Sequence, residues 1–242
     1  MPERKVVVAI HQPNFFPWLG YFNKIARADV FVAMDNVQFP RTGRGTWLNR
    51  VRIIVNGQPK WVTLPVVRAY HGVRAINAVR INDSTPWRDK LLKTLQMSYR
   101  RAPYFHDIFP LLADLVNIPT DSLAEYNLSA IRSLATALQL DTSKLILGST
   151  LSVEGQATDI LISMVKAVGG TAYLSGHGAG GYQEDEKFAA AGLELIYQDF
   201  HHPVYPQFNS EEFIPGLSVI DALMNCSFEQ TRALVSSTQV QR

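Results

Sequence analysis

Apolar residues near the start of the chain follow two patterns, a short continuous run and a helical repeat. Val6–Ile10 is an unbroken, mainly β-branched run, which is typical of a parallel strand buried on both faces. Leu19, Phe22 and Ile25 recur at helical spacing, and a second apolar run covers Val30–Met34. Strand, helix and strand within about thirty residues predict a right-handed βαβ unit.

The middle of the chain has different patterns. Residues 37–81 contain two strand-like runs on either side of Asn56 and Gly57, a dipeptide typical of tight β-hairpin turns. A third run, Val73–Ile81, is interpreted as another strand. Residues 87–140 carry apolar positions at helical spacing. We therefore expect an antiparallel β insertion followed by a helical segment.

Short strands and helices alternate again toward the C-terminus. Strands are predicted at 144–147, 171–174 and 193–197, and a helix at 157–168 that ends at Gly169 and Gly170. Residues 236–242 are polar and are expected to form a frayed tail. The whole pattern predicts one α/β domain over residues 1–242, built on a Rossmann-like, mostly parallel sheet.

Composition narrows the class of protein. The 242 residues are 47% hydrophobic and 18% charged, with a formal net charge of +2, which is ordinary for a globular protein and argues against nucleic-acid binding. The single cysteine, Cys226, cannot form an internal disulfide and suits a reducing cytosol. No apolar run is long enough for a membrane span. We expect a cytoplasmic protein with a small-molecule substrate, and a homodimer stays an open alternative.

Polar residues follow the first strand at the place where open α/β sheets bind ligands. His11, Gln12 and Asn14 come directly after Val6–Ile10, in a loop that two prolines restrict. His11 is interpreted as a catalytic residue that contacts a phosphate or acts as a general acid or base, because an unperturbed histidine has a pKa of about 6.5. A hydrogen-bonded structural histidine is an equal alternative.

A glycine-rich loop follows the strand predicted at 171–174. Its backbone N–H groups can cradle a phosphate or carboxylate in front of the next helix, and a flexible turn is the alternative. The spacing matches no standard nucleotide motif, so it names no cofactor. His177 is a second catalytic candidate, and the residues assigned to binding here are Ser175, Gly176, Gly178, Gly180 and Tyr182.

Three further residues are candidates. Asp35, after the second predicted strand, is either a catalytic base or ribose contact, or a turn-starting aspartate. Asn49 and Arg50 can bind a phosphate or carboxylate, because arginine offers a bidentate fork, and Arg52 should share the strand face of Arg50. A solvated strand face is the alternative. Cysteine and histidine spacing indicates no metal site.

Several motifs recur in the order expected for a known family. They are HQPNFFPWLGYFNKI at 11–25, DNVQF at 35–39, WLNR at 47–50, WVTLPV at 61–66, APYF at 102–105, YLSG at 173–176 and LSVID at 217–221. Together they resemble the WbqC-like protein family over almost the whole chain. The segment 41–46 is longer than is usual in that family.

The resemblance implies a function in outline. The family is named after a member encoded in an O-antigen polysaccharide cluster. Transfer of glycine or another acyl group to an amino sugar was suggested for that member, and it implies an acyl or aminoacyl transferase acting on a nucleotide-sugar or related molecule in polysaccharide or secondary metabolism. The cofactor is unknown, and ATP with Mg²⁺ is one candidate. The alternative is a non-catalytic nucleotide-sugar or small-ligand binding protein that assists a partner enzyme.

A second resemblance concerns the fold. The first strand, its His–Pro turn and the strand ending in aspartate are similar to the nucleotidyltransferase class of Rossmann-like folds. Tyr21 follows Gly20 where that class has the second histidine of its HxGH signature. Likeness of fold does not by itself imply a function.

Overall fold

The strands form one parallel and one antiparallel sheet. The computed structural model describes residues 4–40, 46–176 and 184–236. The strands in these ranges are β1 (Val7–His11), β2 (Val30–Ala33), β3 (Arg50–Val55), β4 (Gln58–Thr63), β5 (Leu145–Leu147), β6 (Ala172–Ser175) and β7 (Glu194–Tyr197). Five form the parallel sheet, and β3 and β4 pair separately. The predicted α/β class, with a Rossmann-like sheet and an antiparallel β segment, is confirmed.

Helices cover the sheet and connect its strands. They are α1 (Leu19–Arg27), α2 (Trp87–Tyr99), α3 (Phe105–Val116), α4 (Leu123–Ala137), α5 (Thr158–Ala167), α6 (Asp185–Ala190), α7 (Val219–Asn225) and α8 (Phe228–Ser236). The helical segment predicted between 87 and 140 is therefore three helices. Gly169 has φ +72° just after α5, a left-handed conformation that ends a helix readily. Within the described ranges, no helix combines the length and apolar character needed to cross a bilayer.

The order of strands in the parallel sheet brings distant parts of the chain together. Across the sheet the order is β5, β2, β1, β6 and β7. The chain builds outward from β1 through β2 and β5, then returns to the other side of β1 to place β6. Such a reversal is the topological switch point at which open α/β sheets bind ligands. Val7 pairs with Ala172 and Ala9 with Leu174, so β1 and β6 end at the same edge.

Both faces of the sheet are buried, against two separate apolar clusters. Ala9 and Leu174 belong to the larger cluster, which contains residues of α1, α2, α3, α4 and α7. Val8 and Tyr173 belong to the smaller cluster, which contains Met164 of α5. Successive residues of a strand point to opposite faces, so a strand covered on both sides must be apolar throughout. This explains the continuous apolar run at Val6–Ile10.

The antiparallel pair is the predicted hairpin. Asn56 and Gly57 have φ values of +53° and +74°, and Val55 pairs with Gln58 across them. Positive φ at both central residues is the requirement of a type I′ turn, which suits the twist of antiparallel strands. Val51 and Ile53 point from β3 into the larger cluster.

The strand interpreted at Val73–Ile81 is wrong. The segment contains a short 3₁₀ turn, Ile76–Ala78, and makes isolated bridges in place of a ladder. Its backbone groups bond to several different segments: Ile76 N–H donates to Val37 O, and Ile81 N–H donates to Asp121 O. Ile76, Val79 and Ile81 are thus buried without a neighbouring strand, which the sequence pattern alone does not reveal.

Asp221 on α7 ties three parts of the fold together. Its carboxylate is fully buried and accepts hydrogen bonds from Tyr99 Oη at 2.8 Å, Tyr205 Oη at 2.8 Å and Gln207 Nε2 at 3.1 Å. Burial raises the pKa of Asp221, although the three hydrogen bonds oppose this change. Tyr99 Oη also accepts from Ile54 N–H at 3.1 Å, which links α2 and α7 to β3.

We predict that Asp221→Ala lowers the free energy of unfolding by roughly 3 kcal/mol or more, because two hydroxyls and an amide lose their buried acceptor. Urea denaturation measures the change. Asp114→Ala, at an exposed position of α3, is the matched control and should change stability by no more than about 0.5 kcal/mol. Equal stability of the two variants would show that the network does not hold the hairpin to the helices.

Candidate functional site

His11 lies at the carboxyl end of β1, where the sequence places it. Its imidazole makes edge contacts with Trp18 and Tyr21, at centroid distances of 5.6 and 4.8 Å. Nδ1 lies 3.0 Å from Gln12 O. Burial, together with the nearby charge of Lys24, lowers the pKa of His11 to about 3. The imidazole is therefore neutral at physiological pH, which disfavours the expected role as a cationic phosphate contact.

Lys24 on α1 is a buried cation at the same edge of the sheet. Its side chain is 3% exposed, and Nζ donates to Ile10 O at 3.1 Å. Burial lowers the pKa of Lys24 to about 7. Among the described residues, the structure records no carboxylate in an ion pair with it. A lysine with this pKa can change its charge near neutral pH, unlike an exposed lysine.

The end of β6 lies directly beside these two residues. A Cβ added to Gly176 would lie 3.8 Å from Lys24 Nζ and 3.9 Å from Gln198 Oε1. Ser175 is fully buried, and its carbonyl accepts from Gln198 N–H at 2.8 Å. We call the group formed by His11, Lys24, Ser175, Gly176 and Gln198 the β1–β6 junction.

A row of tryptophans leads from the β1–β6 junction to the surface. Ring centroids are 5.2 Å apart for Trp18 and Trp47, and 5.1 Å apart for Trp47 and Trp61. Trp47 and Trp61 are 37% and 42% exposed. Gly20 is required here, since a Cβ would lie 2.7 Å from Trp18 Nε1. The row connects His11 with the hairpin, so strands from two different sheets border the same region.

Arginines on β3 stand at the outer end of the tryptophan row. The guanidinium carbon of Arg50 lies 4.0 Å from the Trp61 ring centroid, and that of Arg52 lies 5.9 Å away. The expected common face is therefore present. Arg52 also donates to Pro215 O at 3.1 Å and approaches His202, whose pKa is lowered by burial and then by the charge of Arg52. Cationic and aromatic groups together suit a ligand that has both a ring and an anionic group.

Asp35 and Asn49 are held by neighbouring protein groups. The Asp35 carboxylate accepts from Ser149 N–H and Ser149 Oγ, both at 2.8 Å, and so joins the ends of β2 and β5. Asn49 Oδ1 accepts from Thr46 N–H at 3.1 Å, and Nδ2 donates to Leu64 O at 3.0 Å. These contacts favour a structural role for each. In the part of the chain that the structure describes, no group of three or more His, Cys, Asp or Glu residues could hold a metal ion.

The remaining candidates lie in two loops. Gln12 is half-buried, and Asn14 is 3% exposed. The structure records no side-chain hydrogen bond of either residue to another described residue. Ser175 and Gly176 lie at the β1–β6 junction. Four assigned positions lie outside the described residues: His177, Gly178, Gly180 and Tyr182.

Sequence reasoning missed Lys24 and Gln198. Leu19, Phe22 and Ile25 mark the apolar face of α1, and this pattern does not indicate that Lys24 is buried. In the structure, α8 covers this part of α1, and Asn23 Nδ2 donates to Val235 O of α8 at 2.7 Å. Gln198 Nε2 donates to Gly20 O at 2.6 Å. The available signal was a lysine one turn after Gly20, on the helix that follows the loop after β1.

Comparison with known proteins agrees with the motif order. The model of the WbqC-like protein family matches residues 12–233, and the chain belongs to that family. It is also similar to an uncharacterized protein of Mycobacterium tuberculosis, with 27% identity over 224 residues that cover 92% of this chain and 94% of the relative. No solved structure matches the chain.

We predict that the stability effect of Lys24→Met depends on pH. The pKa of Lys24 is about 7 in the folded protein and 10.5 as its ordinary value. Between these values the unfolded chain binds more protons, so the wild-type protein gains stability as pH rises. The gain is up to about 1.4 kcal/mol per pH unit, and Lys24→Met lacks it.

Urea denaturation between about pH 7 and about pH 9 measures this difference. The stability of Lys24→Met relative to wild type should fall across that range. Lys93→Met, at an exposed position of α2, is the control and should follow the wild-type pH dependence. Parallel curves for wild type and Lys24→Met would show that Lys24 keeps an ordinary pKa.

Proposed function

We propose that the β1–β6 junction binds a phosphate-bearing small molecule, with ATP and nucleotide-sugars as the leading ligands. We further propose that the protein transfers an acyl or aminoacyl group, of the glycine type, to the amine of a sugar. The observation that carries the proposal is the reversal of strand order between β1 and β6, because it places His11 and Gly176 together at the edge where open α/β sheets bind ligands.

The groups around the junction divide into two kinds. Neutral His11 can donate Nδ1–H to Gln12 O, which leaves Nε2 as a hydrogen-bond acceptor that can orient an amine or hydroxyl of the substrate. Arg50, beside Trp61, can stabilise negative charge, and such a donor typically contributes roughly 2.7–4 kcal/mol. The exposed tryptophans offer ring faces to a base or sugar.

The proposed transfer is a displacement at the acyl carbon of the activated donor. The acceptor amine forms a bond to the acyl carbon, the bond from that carbon to a phosphate oxygen breaks, and one amine proton passes to solvent. The phosphate departs with the electron pair of the broken bond. ATP would supply this phosphate by activating the acyl donor, together with the Mg²⁺ that ATP normally carries.

The second candidate function is binding without chemistry, in support of a partner enzyme. The engaged carboxylate of Asp35 favours it, because Ser149 already occupies both of its oxygens. The low pKa of His11 also favours it, since efficient proton transfer needs a pKa near the working pH. Both functions use the β1–β6 junction, and the formation of a transfer product distinguishes the transferase from the binding protein.

We predict that wild-type protein binds ATP or UDP-N-acetylglucosamine and that His11→Ala weakens this binding by about tenfold or more, which is about 1.4 kcal/mol. The physical reason is the loss of the neutral acceptor next to the ligand. Isothermal titration calorimetry measures the affinity, and circular dichroism checks the fold. His106→Ala, at an exposed position of α3, is the matched control and should bind as wild type does.

Incubation with ATP, glycine and a UDP-linked amino sugar then tests for transfer. A new amide product, detected by mass spectrometry, supports the transferase. Binding without product supports the binding protein. If the wild type binds no nucleotide or nucleotide-sugar, the proposed function is wrong, and unchanged affinity of His11→Ala would remove His11 from the site.

A further inference from the structure

The ammonium of Lys24 lacks a negatively charged neighbour among the described residues. Its one recorded hydrogen bond goes to a neutral carbonyl, Ile10 O, although the side chain is 97% shielded from solvent. A buried charge is costly unless an opposite charge and hydrogen bonds compensate for its lost hydration. Replacing this lysine by an apolar residue would avoid that cost, so its position suggests a use outside the folding of the chain.

The described groups of the β1–β6 junction and those in contact with them are neutral or positive. His11 on β1 is neutral at physiological pH, and Tyr21 on α1 packs against His11. Gln198, after β7, brings a neutral amide, and Arg27, one turn beyond Lys24, donates to the backbone oxygen of Gln198. These groups supply no carboxylate to neutralise the ammonium.

Gly176, directly after β6, lies beside the ammonium of Lys24. Its missing Cβ would lie 3.8 Å from Lys24 Nζ, so a longer side chain at this position would cover Nζ and Gln198 Oε1. Two features therefore point to a ligand, a buried cation without a counter-ion and a glycine beside it. Both lie at the switch point of the sheet, where ligands bind in this fold class.

We propose that Lys24 binds an anionic group of the substrate, a phosphoryl or a carboxylate oxygen, and takes up a proton when that anion binds. This inference rests on the proposed function, because it uses the same β1–β6 junction. It adds the residue that supplies the positive charge and the class of group that this residue recognises.

Proton uptake follows from the surroundings of Lys24. In the free protein, burial lowers the pKa of Lys24 to about 7, so the amine is mostly neutral above that pH. A bound anion favours the charged form and returns the pKa toward its ordinary value of 10.5. The affinity for the anion should therefore fall as pH rises above about 7, by up to tenfold per pH unit.

Calorimetry at about pH 7 and about pH 8.5, in two buffers of different ionisation enthalpy, tests the proposal. The phosphate probes are ATP and UDP-N-acetylglucosamine, and the carboxylate probe is glycine. For the probe that binds, the wild type should take up close to one proton at the higher pH and bind about tenfold more weakly there. Lys24→Met should bind at least about tenfold more weakly at the lower pH, without proton uptake.

Lys144→Met is the matched control. Lys144 also has a pKa lowered by burial and also donates to a backbone carbonyl, Ala28 O at 2.7 Å. It lies at the opposite, amino-terminal edge of the sheet, before β5. This variant should reproduce the wild-type affinity and proton uptake. Gly176→Leu is a second variant that keeps Lys24 and should weaken binding by covering Nζ, which maintains the test if Lys24→Met does not fold.

The outcomes distinguish this inference from the proposed function. If ATP or UDP-N-acetylglucosamine binds equally well to wild type and Lys24→Met, the role of Lys24 is wrong and the nucleotide site stands. If glycine alone binds, and does so through Lys24, the role of Lys24 stands and the nucleotide assignment falls. If the wild type binds none of the probes, or binds without proton uptake at the higher pH, the role of Lys24 is overturned.

Discussion

The parallel pairing of β1 with β2 on one side and β6 on the other is the constraint on which the rest of the structure depends. It buries β1 on both faces, which requires its apolar run, and it aligns the carboxyl ends of strands that are more than a hundred residues apart in sequence. Two helical layers then cover the sheet. His11 at the end of one strand and Gly176 after the other become neighbours as a direct result.

The hairpin borders this edge because it is anchored in the core. Asn127 of α4 donates to Pro13 O and Leu48 O, and Phe15 N–H donates to Trp47 O, so the loop after β1 and the approach to β3 are joined. The Asp221 network holds the other side of β3 through Tyr99. These contacts place the tryptophan row between the β1–β6 junction and the two arginines of β3.

Burial is the main cause of the lowered pKa values of His11 and Lys24 at the β1–β6 junction, and no ion pair with a described carboxylate opposes it. His11 is half-buried and Lys24 is buried, and burial lowers the pKa of both groups; the charge of Lys24 lowers the pKa of His11 further. Perturbed ionisable groups at a switch point are typical of binding and catalytic sites. The buried ammonium of Lys24 costs stability when no ligand is bound. A bound anion would supply its counter-charge, as expected of an anion-binding site.

The sequence by itself determined the α/β class, the βαβ start, the Asn56–Gly57 hairpin, the family and the strand end that carries His11. Each of these follows from local periodicity, turn chemistry or motif order, which neighbouring residues encode. Only the tertiary structure decided that Val73–Ile81 is not a strand, that Ser149 engages Asp35, and that α8 and Gln198 cover α1. Lys24 became a buried cation for the same reason: burial of a helical face depends on what packs against it, and these partners lie far away in the sequence.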